Sequence, residues 1–189
     1  MNASRNLAPL AIALTAISLS CVAQEPARER SEASQAFAVP SRTGSKLPTD
    51  QAQAALDFHN DMRDQHGVPA LQWSTELSAV AQEWAEHLAS RRQCGLQHMS
   101  NNRYGENLFG GRGRDYSALF ASQRWYSEID DYRYGPLSAD QVHGVGHYTQ
   151  MIWRTTTHVG IGVARCPNGA QVIAAEYDPP GNYIGQAPY

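Results

Sequence analysis

The sequence predicts an α+β fold for one domain that spans residues 49–189. Three segments between residues 49 and 132 repeat apolar side chains at helical spacing, and two extended segments then follow, at residues 159–163 and 172–177. Helices followed by a late hairpin favour an α+β arrangement over a doubly wound one, in which helices and strands alternate. About 140 residues are enough for a single hydrophobic core, and the segment shows no internal repeat.

Each of the three predicted helices has a candidate start and one stripe of side chains that face the core. The first runs from Thr49, as N-cap, to about Gln65 and stops at Gly67; the second follows the cap Ser74; the third starts at Asp115. The first stripe comprises Ala52, Ala55, Leu56, His59, Met62 and Arg63. The second comprises Leu77, Ala81, Trp84 and Leu88. The third comprises Ala118, Ser122, Trp125, Ile129 and Tyr132. Periodicity defines the faces of these helices more closely than their ends.

A β-hairpin is predicted near the end of the chain. Apolar residues alternate with small or polar ones from Val159 to Val163, and residues 172–177 read as a second extended segment. Pro167, Asn168 and Gly169 lie between them and are typical turn residues. A turn centred near Asn168 places Ile161 opposite Ala175 on the paired strands.

The segment before the domain predicts export. In residues 1–20, Arg5 precedes an uncharged and largely apolar run that is too short to span a membrane permanently, as in a signal peptide. Residues 21–48 contain few large apolar side chains and are predicted to form a flexible linker. Cys21 directly follows Ser20 and is a lipidation candidate, with ordinary cleavage after Ala23 as the alternative. We therefore expect a secreted protein, or a periplasmic or cell-surface lipoprotein.

The charge balance argues against nucleic acid as a partner. Without the predicted signal the chain carries 14 basic side chains against 18 acidic ones, since Arg5 is removed.

The sequence also lacks the HExxH, GxSxG, P-loop and CxxC signatures of several enzyme classes, although their absence does not exclude catalysis.

Three cysteines are an odd number for an oxidising compartment. Lipidation or removal of Cys21 leaves Cys94 and Cys166 to pair as a disulfide. The alternative keeps all three as free and mostly buried thiols, which suits a cytosolic protein better.

Four motifs carry a resemblance to a known family. Residues 59–63 match HNxxR, residues 105–108 read as a GENL turn, residues 146–153 read GHYTQMIW and residues 177–183 read YDPPGNY. A lone GENL would be weak evidence, but the last two motifs in this order are very specific. The domain resembles the CAP superfamily, and most closely the plant pathogenesis-related proteins of class one, which also end much as this chain does in GQAPY.

The resemblance implies an α-β-α sandwich in which a mixed sheet lies between helices beside a large open cleft. It implies that the cleft gathers a metal-binding set of four residues: His98, Glu106, Glu128 and His147. It also implies the pairing of Cys94 with Cys166, while two further disulfides of the family are missing as whole pairs. Ile161 and Ala175 occupy the positions of one missing pair, in agreement with the predicted hairpin register.

The residues themselves bear on these roles. Glu128 lies at the edge of the third apolar stripe, where an ionised carboxylate is costly unless it is paired, bound to a metal or open to a cleft; an exposed glutamate at the stripe edge is the alternative. Two neutral imidazoles near carboxylates are competent zinc ligands, although lone histidines are usually structural. His59 and Arg63 share a helical face with apolar residues, which predicts a packing role. His143 and His158 flank the third motif and can reach the cleft rim.

Three kinds of function remain open, and we rank binding of a small lipid or sterol first. The second is a metal-dependent hydrolase or protease with Glu106 and Glu128 as its catalytic carboxylates, and the third is a surface-interaction or toxin-like module. We expect a monomer that holds a divalent cation, preferably zinc, and meets a membrane only through a lipid anchor at Cys21. A binding protein is favoured over an enzyme.

Overall fold

A computed structural model describes residues 37–91 and 94–189. The predicted signal peptide, Cys21 and the first part of the predicted linker lie outside these ranges. Within them, no helix combines the length and the apolar character needed to cross a membrane.

In the residues that the structure describes, four α-helices and four strands form the domain. The helices are α1 (Thr49–Gln65), α2 (Thr75–Ser90), α3 (Ala118–Tyr126) and α4 (Ala139–Met151), and a 3-10 helix (Ser127–Asp131) follows α3. The strands are β1 (Gln72–Trp73), β2 (Gly105–Gly111), β3 (His158–Arg165) and β4 (Gln171–Asp178). They form one mixed sheet in the order β1-β3-β4-β2, with only β1 and β3 parallel. The predicted α+β class is confirmed.

The sheet lies between two helical layers. One face packs on α2 through a core that includes Ala81, Leu88 and Val172. The opposite face packs on α1, α3 and α4 through a larger core built around Leu56, Trp125, Tyr148, Ile161 and Tyr177. Gly160 and Gly162 allow β3 to approach α2 closely, since a Cβ at either position would overlap the backbone of that helix. The expected sandwich is therefore present.

Two of the three predicted helix starts were wrong. Pro48 rather than Thr49 precedes α1 and no side chain caps it, while the Thr49 hydroxyl donates to the carbonyl of Ser41 at 3.2 Å. Helix α3 begins after Ser117, whose Oγ accepts from the N–H of Phe120, and the predicted starter Asp115 pairs with an arginine instead. A serine two residues nearer to the apolar stripe provides the better cap.

The other two local predictions are confirmed. Ser74 caps α2, because its Oγ accepts from the N–H of Leu77 at 3.1 Å. In the β3–β4 hairpin Ile161 pairs with Ala175 as the turn position required. In the turn, Asn168 Oδ1 accepts from the N–H of Ala170 at 2.9 Å.

The linker prediction is wrong for the part that the structure describes. Residues 37–48 pack on the domain, and three of their side chains are buried: Val39, Thr43 and Leu47. Trp73 Nε1 donates to the Thr43 carbonyl at 2.9 Å, and the N–H of Lys46 donates to Gln82 Oε1 at 2.9 Å. The few apolar residues of this stretch are enough to hold it because they reach the core directly.

Candidate functional site

The HNxxR motif lies in the core rather than in a cleft. His59 and Arg63 are both fully buried. His59 Nδ1 donates to the Ala55 carbonyl at 2.8 Å, which leaves Nε2 to accept from the hydroxyl of Tyr177 at 2.9 Å. Burial lowers the pKa of His59 to about 4, so the ring is neutral at ordinary pH. The predicted packing role of both residues is confirmed.

A cleft opens beside β2, one of the two edge strands of the sheet. The GENL motif, which the sequence predicted as a turn, forms the first half of this strand. The cleft encloses a cavity of about 410 Å³. Its lining includes His98 and Met99 from the loop before β2, Glu106 and Asn107 from β2, and His143 and His147 from α4.

His98 and Glu106 form the first histidine–carboxylate pair of the cleft. His98 Nδ1 lies 2.5 Å from Glu106 Oε1, and the N–H of Met99 donates to the same carboxylate at 3.2 Å. The imidazole is 67% exposed, whereas the glutamate side chain is 5% exposed. The hydrogen bond to Glu106 raises the pKa of His98, and the negative charge of Glu106 adds to this rise. Burial of the imidazole partly opposes it.

His147 and Glu128 form the second pair. His147 Nδ1 lies 2.6 Å from Glu128 Oε1, while Glu128 Oε2 accepts from the backbone N–H groups of His147 and Tyr148 at 2.9 and 3.1 Å. The Trp125 ring stacks on the imidazole with 6.3 Å between centroids. Glu128 lies on the 3-10 helix and its side chain is 23% exposed, so the stripe-edge glutamate is paired rather than free in solvent.

The two pairs share one chemical arrangement. A carboxylate only accepts hydrogen bonds, so each Nδ1 carries a proton and each neutral ring has its lone pair on Nε2. Neither Nε2 has a hydrogen-bond partner among the described residues. A histidine whose Nδ1–H is held by a carboxylate is the usual form of a metal ligand.

No complete ligand set is preformed in the described ranges. There, no three or more histidine, cysteine, aspartate or glutamate side chains are grouped so as to hold a metal ion. Since Glu106 and Glu128 are committed to their imidazoles, the arrangement offers two nitrogen ligands and two carboxylates that orient them.

Glu176 was not among the predicted site residues. Its Cα pairs with that of Glu106 across β2 and β4, so the two side chains share a face of the sheet. Glu176 is fully buried; Oε2 accepts from Asn102 Nδ2 at 2.7 Å, and Oε1 has no partner among the described residues. Burial is the main cause that raises its pKa to about 8, and the charge of Glu106 adds to the effect. A glutamate inside the apolar run of residues 172–177 was the available signal.

Of the two flanking histidines, only His143 lines this cleft. His158 lies at the start of β3 near Trp73 and Asp178, and its Nδ1 contacts the hydroxyl of Thr157 at 2.8 Å. The prediction that either residue reaches the rim therefore holds for His143 alone.

Cys94 and Cys166 form a disulfide, as predicted. Their Cα atoms are 6.1 Å apart, within the normal range for a bridge. Cys94 begins the loop that carries His98, and Cys166 directly follows β3. The bridge therefore ties the His98 loop to the hairpin.

Comparison with known proteins identifies the family. The model of the CAP family, described as the cysteine-rich secretory protein family, matches residues 56–177. Pathogenesis-related protein 1A of Nicotiana tabacum is 41% identical over 137 residues, which cover 72% of this chain and 80% of the tobacco protein. Pathogenesis-related protein 1 of Arabidopsis thaliana is 42% identical over 141 residues, covering 74% and 83%. The chain belongs to the CAP family and is similar to its plant pathogenesis-related members.

Solved structures agree on the fold. The structure of BmVAL-1 matches with a TM-score of 0.67 and 25% identity, covering 77% of this chain and 84% of that one. A crystal structure described as NaASP2 with Zn2+ matches with a TM-score of 0.66 and 24% identity, covering 76% and 86%. The second likeness concerns the fold alone.

Proposed function

We propose that this protein acts outside the cell as a binding protein whose cleft holds a divalent cation, with zinc the best suited. Membership of a family described as secretory supports the location. The observation that carries the cation proposal is the paired arrangement of His98 with Glu106 and His147 with Glu128, which leaves Nε2 of each ring as a ligand.

The donor set suits zinc on chemical grounds. Neutral imidazole nitrogen is a preferred ligand of zinc and of neighbouring first-row ions, whereas magnesium and calcium prefer oxygen. Two protein ligands leave coordination positions for water or for a ligand of the protein. Glu106 and Glu128 would fix the orientation of the two rings.

A small lipid or sterol remains the cargo that we propose for the domain. Its support is the family resemblance; most side chains that line the cleft are polar, and Met99, Tyr104 and Val142 add apolar and aromatic surface. A lipid anchor at Cys21 and a monomeric state are proposed on the sequence alone.

A hydrolase is the weaker candidate. It would need Glu106 or Glu128 to take a proton from water, yet both carboxylates already accept hydrogen bonds from an imidazole and from backbone N–H groups. The geometry therefore favours binding over catalysis.

Native mass spectrometry of the purified protein tests both parts of the proposal. We expect one divalent cation per chain, lost on addition of a chelator, and a small lipid that persists after the cation is removed. A protein that takes up no cation from zinc-containing buffer, with its disulfide intact, would refute the metal assignment. Absence of bound lipid after incubation with a lipid extract would refute the cargo.

The pH dependence provides a second check. Zinc requires the unprotonated Nε2, so affinity should fall as the pH drops. Because Glu106 raises the pKa of His98, the decrease should begin above pH 6.5, the ordinary value for histidine. Affinity measured between pH 5 and pH 8 that does not change would contradict the proposed ligands.

A further inference from the structure

Three arginines meet at the end of the sheet far from the cleft. Gly111 at the end of β2 pairs with Gln171 at the start of β4, which in turn pairs with Arg165 at the end of β3. Arg112 and Arg114 follow β2 directly, so the strand register brings them to the same end as Arg165. We call the cavity between them the arginine pocket.

The arginine pocket is a concave and locally basic site on an acidic chain. It encloses about 380 Å³, and among the described residues that line it Asp115 is the only acidic one. Asp115 forms an ion pair with Arg165. Within the described residues Arg112 and Arg114 form no ion pair, so the pocket keeps an excess of positive charge although the whole chain has a formal charge of −3.

The loop that carries Arg112 and Arg114 is held in place by its neighbours. Gln171 clamps Tyr116 with two hydrogen bonds of 2.9 Å, one to the backbone N–H and one to the carbonyl. The hydroxyl of Tyr116 donates to the Arg112 carbonyl at 3.0 Å. The guanidinium of Arg114 lies over the rings of Tyr116 and Phe120, 4.9 and 4.8 Å from their centroids.

The contacts of Arg114 leave its donors available. Stacking on an aromatic ring uses the face of the guanidinium and leaves its N–H groups in the plane free to bind oxygen. Asn168 adds a neutral donor, because its Oδ1 already accepts from the N–H of Ala170 and its amide N–H groups remain.

We infer that the arginine pocket binds a phosphate or sulfate group. Planar guanidinium groups match tetrahedral oxyanions through paired hydrogen bonds, and several such groups around one cavity suit a dianion better than a single carboxylate. Six residues of strand separate Glu106 from Arg112, or about 20 Å, so this site is distinct from the cleft. It does not depend on the cation proposal.

NMR titration of the isotope-labelled protein, with its disulfide intact, tests the inference. Methyl phosphate and sulfate serve as probes at constant ionic strength, with chloride as the reference anion, and the side-chain N–H signals of the arginines report binding. We expect saturable shifts of Arg112 and Arg114 with both probes and none with chloride. Shifts of the same size with chloride would overturn the proposal.

Variants separate the pocket from general surface charge. Arg112→Ala combined with Arg114→Ala should weaken binding of methyl phosphate at least tenfold, by order of magnitude. The matched control, Arg133→Ala combined with Arg154→Ala, removes two exposed arginines elsewhere and should leave affinity unchanged. Equal weakening in both double variants would overturn the proposal.

Asp115→Asn provides a test in the opposite direction. It removes the carboxylate of the pocket and frees Arg165, so methyl phosphate should bind several-fold more tightly.

Vesicles with and without phosphatidic acid show whether the bound phosphate belongs to a lipid headgroup or to a soluble molecule. Binding to soluble methyl phosphate, with or without binding to vesicles, supports the inference. Binding to vesicles without any response to the soluble probes, or weaker binding by the Asp115 variant, would refute it.

Discussion

Replacement of Arg63 by methionine should destabilise the protein strongly. The buried guanidinium donates to four backbone carbonyls, those of Pro69, Met151, Trp153 and Thr156, at 2.6 to 3.0 Å. Burial lowers its pKa to about 10, so it remains charged at neutral pH. Three of these bonds join α1 to the last residue of α4 and the segment that follows it, and α4 carries His147.

The magnitude follows from the carbonyls that would lose their donor. Among the described contacts, the Trp153 carbonyl also accepts from the N–H of Thr156, whereas the other three have no partner besides Arg63. The bonds to Met151 and Thr156 are buried, whereas the bond to Pro69 is partly exposed. An unpaired buried carbonyl costs about 1–3 kcal/mol, so we expect Arg63→Met to lower the free energy of unfolding by about 2–5 kcal/mol.

Urea denaturation of the oxidised protein measures this loss. Arg154→Met is the matched control, because Arg154 is exposed and its only described hydrogen bond uses the backbone N–H. The control should change the free energy of unfolding by less than about 0.5 kcal/mol. A loss below about 1 kcal/mol for Arg63→Met would refute the reasoning.

Three further predictions concern stability. Burial raises the pKa of Glu176 from 4.5 to about 8, so the free energy of unfolding of the parent should fall as the pH rises between these values. Glu176→Gln should show a smaller fall. If urea titrations at several pH values give the same slope against pH for both proteins, the prediction is wrong. The double replacement of Cys94 and Cys166 by serine should cost about 2–4 kcal/mol in the same assay, and an unchanged midpoint would be inconsistent with the bridge. Removal of residues 1–48 should lower the melting temperature by several degrees, because the core loses Val39 and Leu47, whereas removal of residues 1–36 should not lower it. Identical melting curves for the two shortened proteins would show that residues 37–48 contribute nothing to stability.

The sequence predicted those features that local periodicity determines. The faces of α1 and α2 and the register of the β3–β4 hairpin follow from the spacing of apolar residues, and the structure confirms them. Helix α4 was not predicted, since Gly144 and Gly146 interrupt its weak apolar pattern. The family motif predicted a turn at residues 105–108, where the structure has the first part of β2; glycines occupy three of the seven positions of this strand and weaken its local pattern.

Contacts between side chains from different elements could not be predicted from local sequence patterns. The family resemblance identified both histidines and both glutamates, but not that each Nδ1 binds a carboxylate from a different element. That pairing depends on how the 3-10 helix meets α4 and how the loop before β2 folds back on the strand. The burial of Glu176 likewise depends on the neighbouring strand, which brings Glu106 beside it.

Calorimetric titration with zinc at pH 7.5 tests the central claim most directly. The parent protein should bind one zinc ion, and both His147→Ala and His98→Ala should lose most of the affinity while keeping their cooperative unfolding. His143→Ala is the matched control, because His143 is an exposed histidine that lines the same cleft without a described carboxylate partner, and it should bind as the parent does. Unchanged zinc affinity in the His147 variant, or a loss confined to the His143 variant, would contradict the proposed cation site.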